Sequence, residues 1–288
     1  MAITEFKEQV LRYKDRIVFI KLSMPYFSRT LKEYAENEAC FMFVNQGEVA
    51  VRGQEDYLKL NPKMGMLAKC LNYFFEPTTQ AADCNNPVES IGIFLYPSLV
   101  EEIFEFDLST SNHQSTYNLK QIPINQLLEN YKASIGILLD HPELADAQII
   151  KTKIKEFILL ISKLEQAPSQ LDFLAGLFKP QHSSFASTIQ HNLYVNLSLE
   201  ELATLCHLSL SSFKRKFQEV FDESPKKYLN RKKIERAAQL LQSQEYRISD
   251  IAFDVGFDSI TTFNRNFQSI YAISPSAYRL NQNDQPLT

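Results

Sequence analysis

Thr261, Asn264, Arg265 and Gln268 recur at intervals of three and four residues in the stretch IAFDVGFDSITTFNRNFQ (251–268), while Phe263 and Phe267 fall on the other side of the same pattern. That spacing predicts a helix beginning near Ser259, with its aromatic side buried and its polar side outward. The outward set has the chemistry to pair with the edges of nucleic-acid bases. Arginine can bond guanine twice, asparagine or glutamine can do the same for adenine, and threonine or serine serves several bases. Ile260 heads this face and is grouped with it. Taken alone, such a face more often does no more than meet water.

A second copy changes the balance. FKRKFQEVFDESPKKYL, from Phe213, and FNRNFQSIYAISPSAYRL, from Phe263, match at an offset of 50 in Phe, Arg, Phe, Gln, an aromatic, Ser-Pro and Tyr. Upstream, LEELATLCHLSLSS parallels ISDIAFDVGFDSITT, with Ala203 against Ala252 and one residue inserted. The unit is therefore duplicated. Each copy reads as a short helix with a small alanine, a tight turn and a second helix, over about 198–221 and 248–270, which is helix-turn-helix geometry. Leu199, Leu202, Ala203 and Leu205 give the first leading helix its apolar side, and Ile248, Ile251, Ala252 and Val255 do so for the second. Gly256 suits a turn with positive φ, and Ser209 or Ser259 can cap the helix that follows. In the first copy the polar face is Ser211, Lys214, Arg215 and Gln218, opposite Phe213, Phe217 and Phe221. For Arg215 and Arg265 a scaffold role stays open, each pairing with an acid of the preceding helix, Glu201 or Asp254.

Between the copies, SPKKYLNRKKIERAAQLLQS predicts a helix with Ser224 as N-cap, Pro225 in the first turn, and Leu229, Ile234, Ala237 or Ala238, and Leu241 as its apolar face. A helix of about 17 residues makes a rod of about 25 Å. With the width of the two units added, it can hold two reading helices toward major-groove sites roughly 34 Å apart. From Lys214 to Arg236 there are nine basic residues against four acidic ones, in a chain of net charge −4. Ser209, Lys216, Lys226, Lys227, Arg231, Lys232 and Ser259 are accordingly the candidates for phosphate contact, and double-stranded DNA is the partner implied.

The 288 residues suffice for two domains, and 44% hydrophobic with 22% charged residues is ordinary globular composition. The opening MAITEFKEQVLRYKDR lacks the apolar core of a signal peptide, and no stretch approaches the roughly 20 apolar residues of a membrane span, so a cytoplasmic protein with no membrane partner is expected. Cys40, Cys70, Cys84 and Cys206 form no C-x-x-C pair and are expected to be buried free thiols. His113 and His141 stand alone without a His-x-His partner, which gives no metal site, and they read as surface or capping residues. Neither G-x-S-x-G nor a phosphate loop is present, so the expectation is not an enzyme and no cofactor.

The fold class expected is α+β in two domains, a small N-terminal β-barrel or cupin-like sheet plus helices and a C-terminal all-α double helix-turn-helix. Residues 1–178 form the regulatory or dimerisation domain, β-rich over 15–110 with helices over about 122–165, and residues 179–288 form the DNA-binding domain. Gly47 marks a turn before a strand, and the prolines and glycine of QAPSQLDFLAGLFKPQHSS place the boundary near Lys179 to Ser183. Ile149, Ile150, Ile154, Phe157, Ile158 and Ile161 make one helical face, extended by Leu160 and Leu164, for packing on the sheet or for a subunit contact. Phe19, Phe41, Phe43, Tyr73, Phe74, Phe75 and Phe94 are either core or the lining of an effector site.

The second copy resembles the signature of the AraC/XylS family of bacterial transcription regulators in Ile248, Ile251, Ala252, Gly256, Phe257, Ser259, Phe263, Arg265, Phe267, Ser274, Pro275, Tyr278 and Arg279. The likeness runs over roughly 183–281. It implies two recognition helices, about 209–221 and 259–270, that enter the major groove of DNA to regulate transcription, with activation the sign the family leads one to expect. RNA polymerase is the partner that follows from this, with an effector or regulatory protein acting on the N-terminal half and a homodimer as the assembly. The N-terminal layout is similar to the sensor halves of type III secretion activators. Two departures from the family are visible: Ala272 where glycine is usual before the Ser-Pro, and Gln268 where lysine is common. A methyl-accepting repair regulator would need a cysteine cluster that Cys40, Cys70 and Cys84 do not form. A protein-interaction module that has lost DNA binding would lack salt-dependent binding.

Overall fold

A computed structural model describes residues 7–24, 28–32, 38–69, 71–78, 87–164, 167–181 and 183–283. Cys70 and Cys84 lie outside the described residues, as does the start of the chain up to Phe6. Two compact units divide between residues 182 and 183.

The first unit is a sandwich of antiparallel sheets, and strand β4 shows why. ACFMFVNQ in β4 (Ala39–Gln46) is apolar almost without a break, which is what a strand covered on both faces requires. Its side chains alternate between two cores. Cys40, Met42 and Val44 point into the space between the sheets with Val49, Val51, Leu60, Met66 and Tyr73. Ala39, Phe41 and Phe43 point outward into a core shared with helices.

One sheet contains β1 (Lys7–Tyr13), β2 (Arg16–Met24), β7 (Met64–Ala68), β9 (Val88–Leu95) and β10 (Leu119–Pro123) with β4, in the order β1-β2-β9-β4-β7-β10. The other contains β3 (Thr30–Lys32), β5 (Val49–Arg52), β6 (Tyr57–Leu60) and β8 (Tyr73–Pro77), in the order β3-β8-β5-β6. The turn before β5 uses Gly47 at φ +81.

Helices α1 (Pro97–Phe104), α2 (Gln126–Asp140), α3 (Ala147–Leu164) and α4 (Gln170–Leu177) cover the outer face of the larger sheet through Val100, Leu128, Ile135, Ile154, Phe157 and Leu174. Phe41 and Phe43 meet Phe157 edge-on, so these aromatics are core. Phe19, Tyr73 and Phe74 are also buried, with Phe75 and Phe94 partly so. The α3 face packs on the sheet, leaving Ile149 and Leu164 exposed.

Several elements differ from the sequence reading. Strand β1 begins before residue 15, and α1 lies inside the stretch expected to be β-rich. β10 occupies the start of the expected first helix because 119–123 pairs with β7, which delays α2 to its Asn125 cap. α4 forms in the expected linker, Ser169 accepting from the Asp172 N–H and Phe173 and Leu174 entering the core. The first unit extends beyond 178. Buried Lys69 donates to the Lys179 carbonyl at 2.9 Å, Lys179 Nζ donates to the Ser111 carbonyl, and Asn118 exchanges two hydrogen bonds with the Gln181 backbone.

His141 caps the end of α2 and lies 3.3 Å from Glu143, while His113 is half-buried. Cys40 is buried, 3.5 Å from the Tyr73 hydroxyl, whereas Cys206 is only half-buried, where burial still pushes its thiol up to about 12.

The second unit is all helix: α5 (Phe185–His191), α6 (Leu199–Leu205), α7 (Leu210–Phe221), α8 (Pro225–Leu240), α9 (Ile248–Asp254), α10 (Ile260–Tyr271) and α11 (Pro275–Asn283). α7 and α10 both end on a residue in the left-handed conformation, Asp222 at φ 52 and Ala272 at φ 61, each N–H returning to the Gln218 or Gln268 carbonyl. Ala272 therefore keeps the turn that glycine makes elsewhere, at the steric cost of its Cβ. Ala272→Gly is expected to raise stability by about 1 kcal/mol, the relief of a left-handed alanine less the added freedom of the unfolded chain, seen as a higher urea midpoint at unchanged slope.

Candidate nucleic-acid interface

Burial of one face decides what the other presents. In α10, Phe263 and Phe267 are fully buried against Ile234, Ala237, Leu241, Ile251, Ala252 and Phe257. In α7, Phe213 and Phe217 are fully buried, and the Phe185 ring of α5 meets the first at a tilt and the second edge-on, at 5.4 and 5.9 Å between centroids. Phe221 is only half-buried, closing the stripe against Tyr228 of α8 at 4.5 Å. Both helices are capped as expected, Ser209 accepting from the Ser212 N–H and Ser259 from the Thr262 N–H.

With those stripes inside, Ser211, Lys214, Arg215 and Gln218 of α7 are exposed, as are Ile260, Thr261, Asn264, Arg265 and Gln268 of α10. Among the described residues, Lys214, Arg215, Thr261, Asn264 and Arg265 make no side-chain hydrogen bond or ion pair. The arginines are not held by an acid of the preceding helix. Glu201 is occupied by the capping box at the start of α6, where it accepts the Ser198 N–H at 2.7 Å, and Asp254 is exposed. Ser211 is within 3.1 Å of the Ser209 hydroxyl and Gln218 reaches Asp222 at 3.5 Å. Two faces of hydrogen-bonding side chains thus stand ready in water, one from each copy.

The basic stretch is divided. Lys226 is exposed and unpaired among the described residues, and exposed Lys216 lies 5.7 Å above the Phe185 ring. Arg231 lies between Glu223 at 2.9 Å and Glu235 at 2.7 Å, which together hold its guanidinium firmly charged. Glu235 also takes Lys232 at 2.9 Å, and Glu223 takes Lys227 at 3.5 Å. These pairs draw the middle of the stripe into a network within α8 and the turn before it. Ser224 sits at the head of α8 with extended backbone, but its side chain makes no capping bond, and Pro225 supplies the start.

α8 is shared between the copies. Its first turns place Tyr228 against Phe217 and Phe221 of the first copy, and Gln190 Nε2 of α5 donates to the Tyr228 hydroxyl at 3.0 Å. Its last turns place Ile234, Ala237, Ala238 and Leu241 in the core of the second. At 16 residues it is about 24 Å long, at roughly 1.5 Å per residue. Leu229, expected on the apolar face, lines a groove of about 860 Å³ instead, with Leu199, Lys226, Arg231, Arg265 and Asn266 also on its walls.

The sequence reading missed Asn266, Ser269 and Lys233 on this groove. Asn266 and Ser269 follow from continuing the polar spacing of α10 one position around the helix. Lys233 was counted only as charge, although it sits next to Ile234 and four residues before Ala237 in an apolar stripe.

Two helix-turn-helix units on one shared helix, each with an exposed polar face, define a double helix-turn-helix protein. Residues 202–281 match the family described as a helix-turn-helix domain, and residues 39–173 match the ExsA N-terminal regulatory domain. Both matches agree with the resemblance to the AraC/XylS family.

It is 30% identical over 129 residues to the MmsAB operon regulatory protein of Pseudomonas aeruginosa, covering 44% of this chain and 42% of that one. It is 26% identical over 185 residues to the virulence regulon transcriptional activator VirF of Yersinia enterocolitica, covering 64% of this chain and 66% of that one. A solved AraC-type regulator from Chromobacterium violaceum aligns at 27% identity and a TM-score of 0.32, covering 36% of this chain and 91% of that one. The matched part spans about two fifths of the first curated relatives, 42% and 41% of their lengths. Among the described residues no helix is long and apolar enough to cross a membrane, and no three His, Cys, Asp or Glu side chains gather as a metal site would require.

The division of the basic stretch separates two kinds of lysine and arginine. Lys226→Ala is expected to lower duplex affinity evenly across sequences and to reduce the slope of log K against log salt by about 0.9. Arg231→Ala is expected to leave that slope almost unchanged and to lower thermal stability by about 1 kcal/mol or less, since its ion pairs are partly exposed. Affinity titrations at several salt concentrations, with thermal unfolding of each variant, check both.

Proposed function

We propose that the chain is a sequence-specific DNA-binding transcriptional regulator that places α7 and α10 in successive major grooves of one duplex. The observation that carries this reading is the pair of exposed polar faces, each with an unpaired arginine, on two copies of one motif whose aromatic faces are buried. Ser211, Lys214, Arg215 and Gln218 read one block of bases, and Ile260, Thr261, Asn264, Arg265 and Gln268 read the other. Ile260 supplies apolar contact, as to a thymine methyl group. Ser209 and Ser259, at the amino ends of the reading helices, meet phosphate, together with Lys216 and Lys226. Lys227, Arg231 and Lys232 serve phosphate only as far as their glutamate partners release them.

The activating sign follows the name of the Yersinia relative, and RNA polymerase is the partner that activation requires. Residues 1–178 are the regulatory half, answering to an effector or a regulatory protein and joining two copies of the chain. The match of 39–173 to a regulatory domain supports this assignment.

Selection of bound sequences from a random duplex pool by the full chain tests the reading. Two enriched blocks about one helical turn apart are expected. Lys214→Ala is expected to relax one block and Arg265→Ala the other, each by about 1–3 kcal/mol of discrimination. Binding without enrichment, or specificity unmoved by both substitutions, overturns it.

A further inference from the structure

The two copies are held at one separation by a joint that the duplicated sequence does not announce. Gly256, in the turn of the second copy, has φ +84, and a Cβ there would lie 2.6 Å from the Tyr194 carbonyl oxygen, which precedes the first copy. Backbone thus meets backbone between the copies. Lys233 of α8 spans the contact, donating from Nζ to the Gly256 carbonyl at 2.8 Å and to the Val195 carbonyl at 3.5 Å, with the Phe257 ring 5.8 Å away. Its burial pushes the ammonium pKa down, while Asp258 works against that fall.

Alongside, Asn196 Nδ2 donates to Asp258 Oδ1. Asp258 is the residue inserted in the second copy. The Leu208 N–H returns to the Ala203 carbonyl and the Phe257 N–H to the Ala252 carbonyl, so the two turns match until Asp258, and then Ser209 and Ser259 cap alike.

We infer that Lys233, with Asn196 and Asp258, is a positioning residue that fixes the distance and angle between the two reading helices, and so sets the spacing of base blocks the protein accepts. A charged group is desolvated at this point, and its hydrogen bonds go to the Gly256 carbonyl of the second copy and the Val195 carbonyl of the segment leading into the first. Two reading heads on a loose joint would bind many spacings weakly. On a fixed joint the second head engages at high effective concentration only where geometry allows. The inference rests on the two-helix reading proposed above.

The test measures affinity of the full chain for duplexes carrying both selected blocks at the selected spacing and at one or two base pairs more or less, and for a duplex with one block. Wild type is expected to lose affinity about tenfold or more when the spacing changes by one base pair. Lys233→Met is expected to bind the selected spacing about tenfold more weakly, to respond to spacing by less than about threefold, and to bind the single block as wild type does. Lys233→Arg, which keeps a donor, is expected to restore part of the spacing preference. If Lys233→Met does not fold, Asn196→Ala, at an exposed position, is expected to flatten the series in the same direction.

A series as steep in a folded variant as in wild type overturns the inference. So does a wild type indifferent to spacing whose blocks still relax one by one with Lys214→Ala and Arg265→Ala, an outcome that leaves the two-helix reading standing. Absence of two blocks in the selection overturns both.

Discussion

Burial of paired phenylalanines orients everything in the second unit. Phe213 and Phe217 on one helix, and Phe263 and Phe267 on the other, are one turn apart and fully withdrawn from water. Each large aromatic is worth a few kcal/mol inside and has no second place to go, so neither helix can roll about its axis. The rotation of the helix is settled by hydrocarbon, and the polar residues inherit their outward direction from it. Local caps then set where each helix starts, and the left-handed ends at Asp222 and Ala272 set where it stops.

The same logic of alternate faces runs through the first unit in another period. β4 sends every second side chain into the space between sheets and the rest into a core shared with helices. A strand used on both sides leaves little freedom of register, since a shift of one residue would exchange two unlike sets, Cys40, Met42 and Val44 for Ala39, Phe41 and Phe43.

What could be read from the residues was what repeats over short distances. Helical spacing of phenylalanines, a duplicated Ser-Pro-x-x-Tyr and capping serines are local signals, and they located the helix-turn-helix units and both candidate reading faces. Elements whose stability comes from distant contacts were harder. β10 is a five-residue strand whose partner β7 lies some fifty residues earlier, and α4 hides its buried Phe173 and Leu174 between prolines and polar residues. The ion pairs of Arg231 could have been suspected from Glu235 four residues on, but Glu223 is reached only because the chain turns before Pro225. Lys233 was illegible for the same reason: its acceptors lie 38 and 23 residues away, and nothing in the run NRKKIER separates it from its neighbours.

The tight approach at Gly256 makes the two copies non-equivalent. The corresponding residue of the first copy is His207, which adopts φ 54 at an exposed site. An imidazole in place of Gly256 would have to displace the Tyr194 carbonyl. The copies share one pattern yet cannot be exchanged: a chain built from two first copies would keep both polar faces and lose the seat at Gly256. A turn without a side chain at Gly256, with Asp258 two residues on, is what lets the second copy sit directly on the backbone that leads into the first.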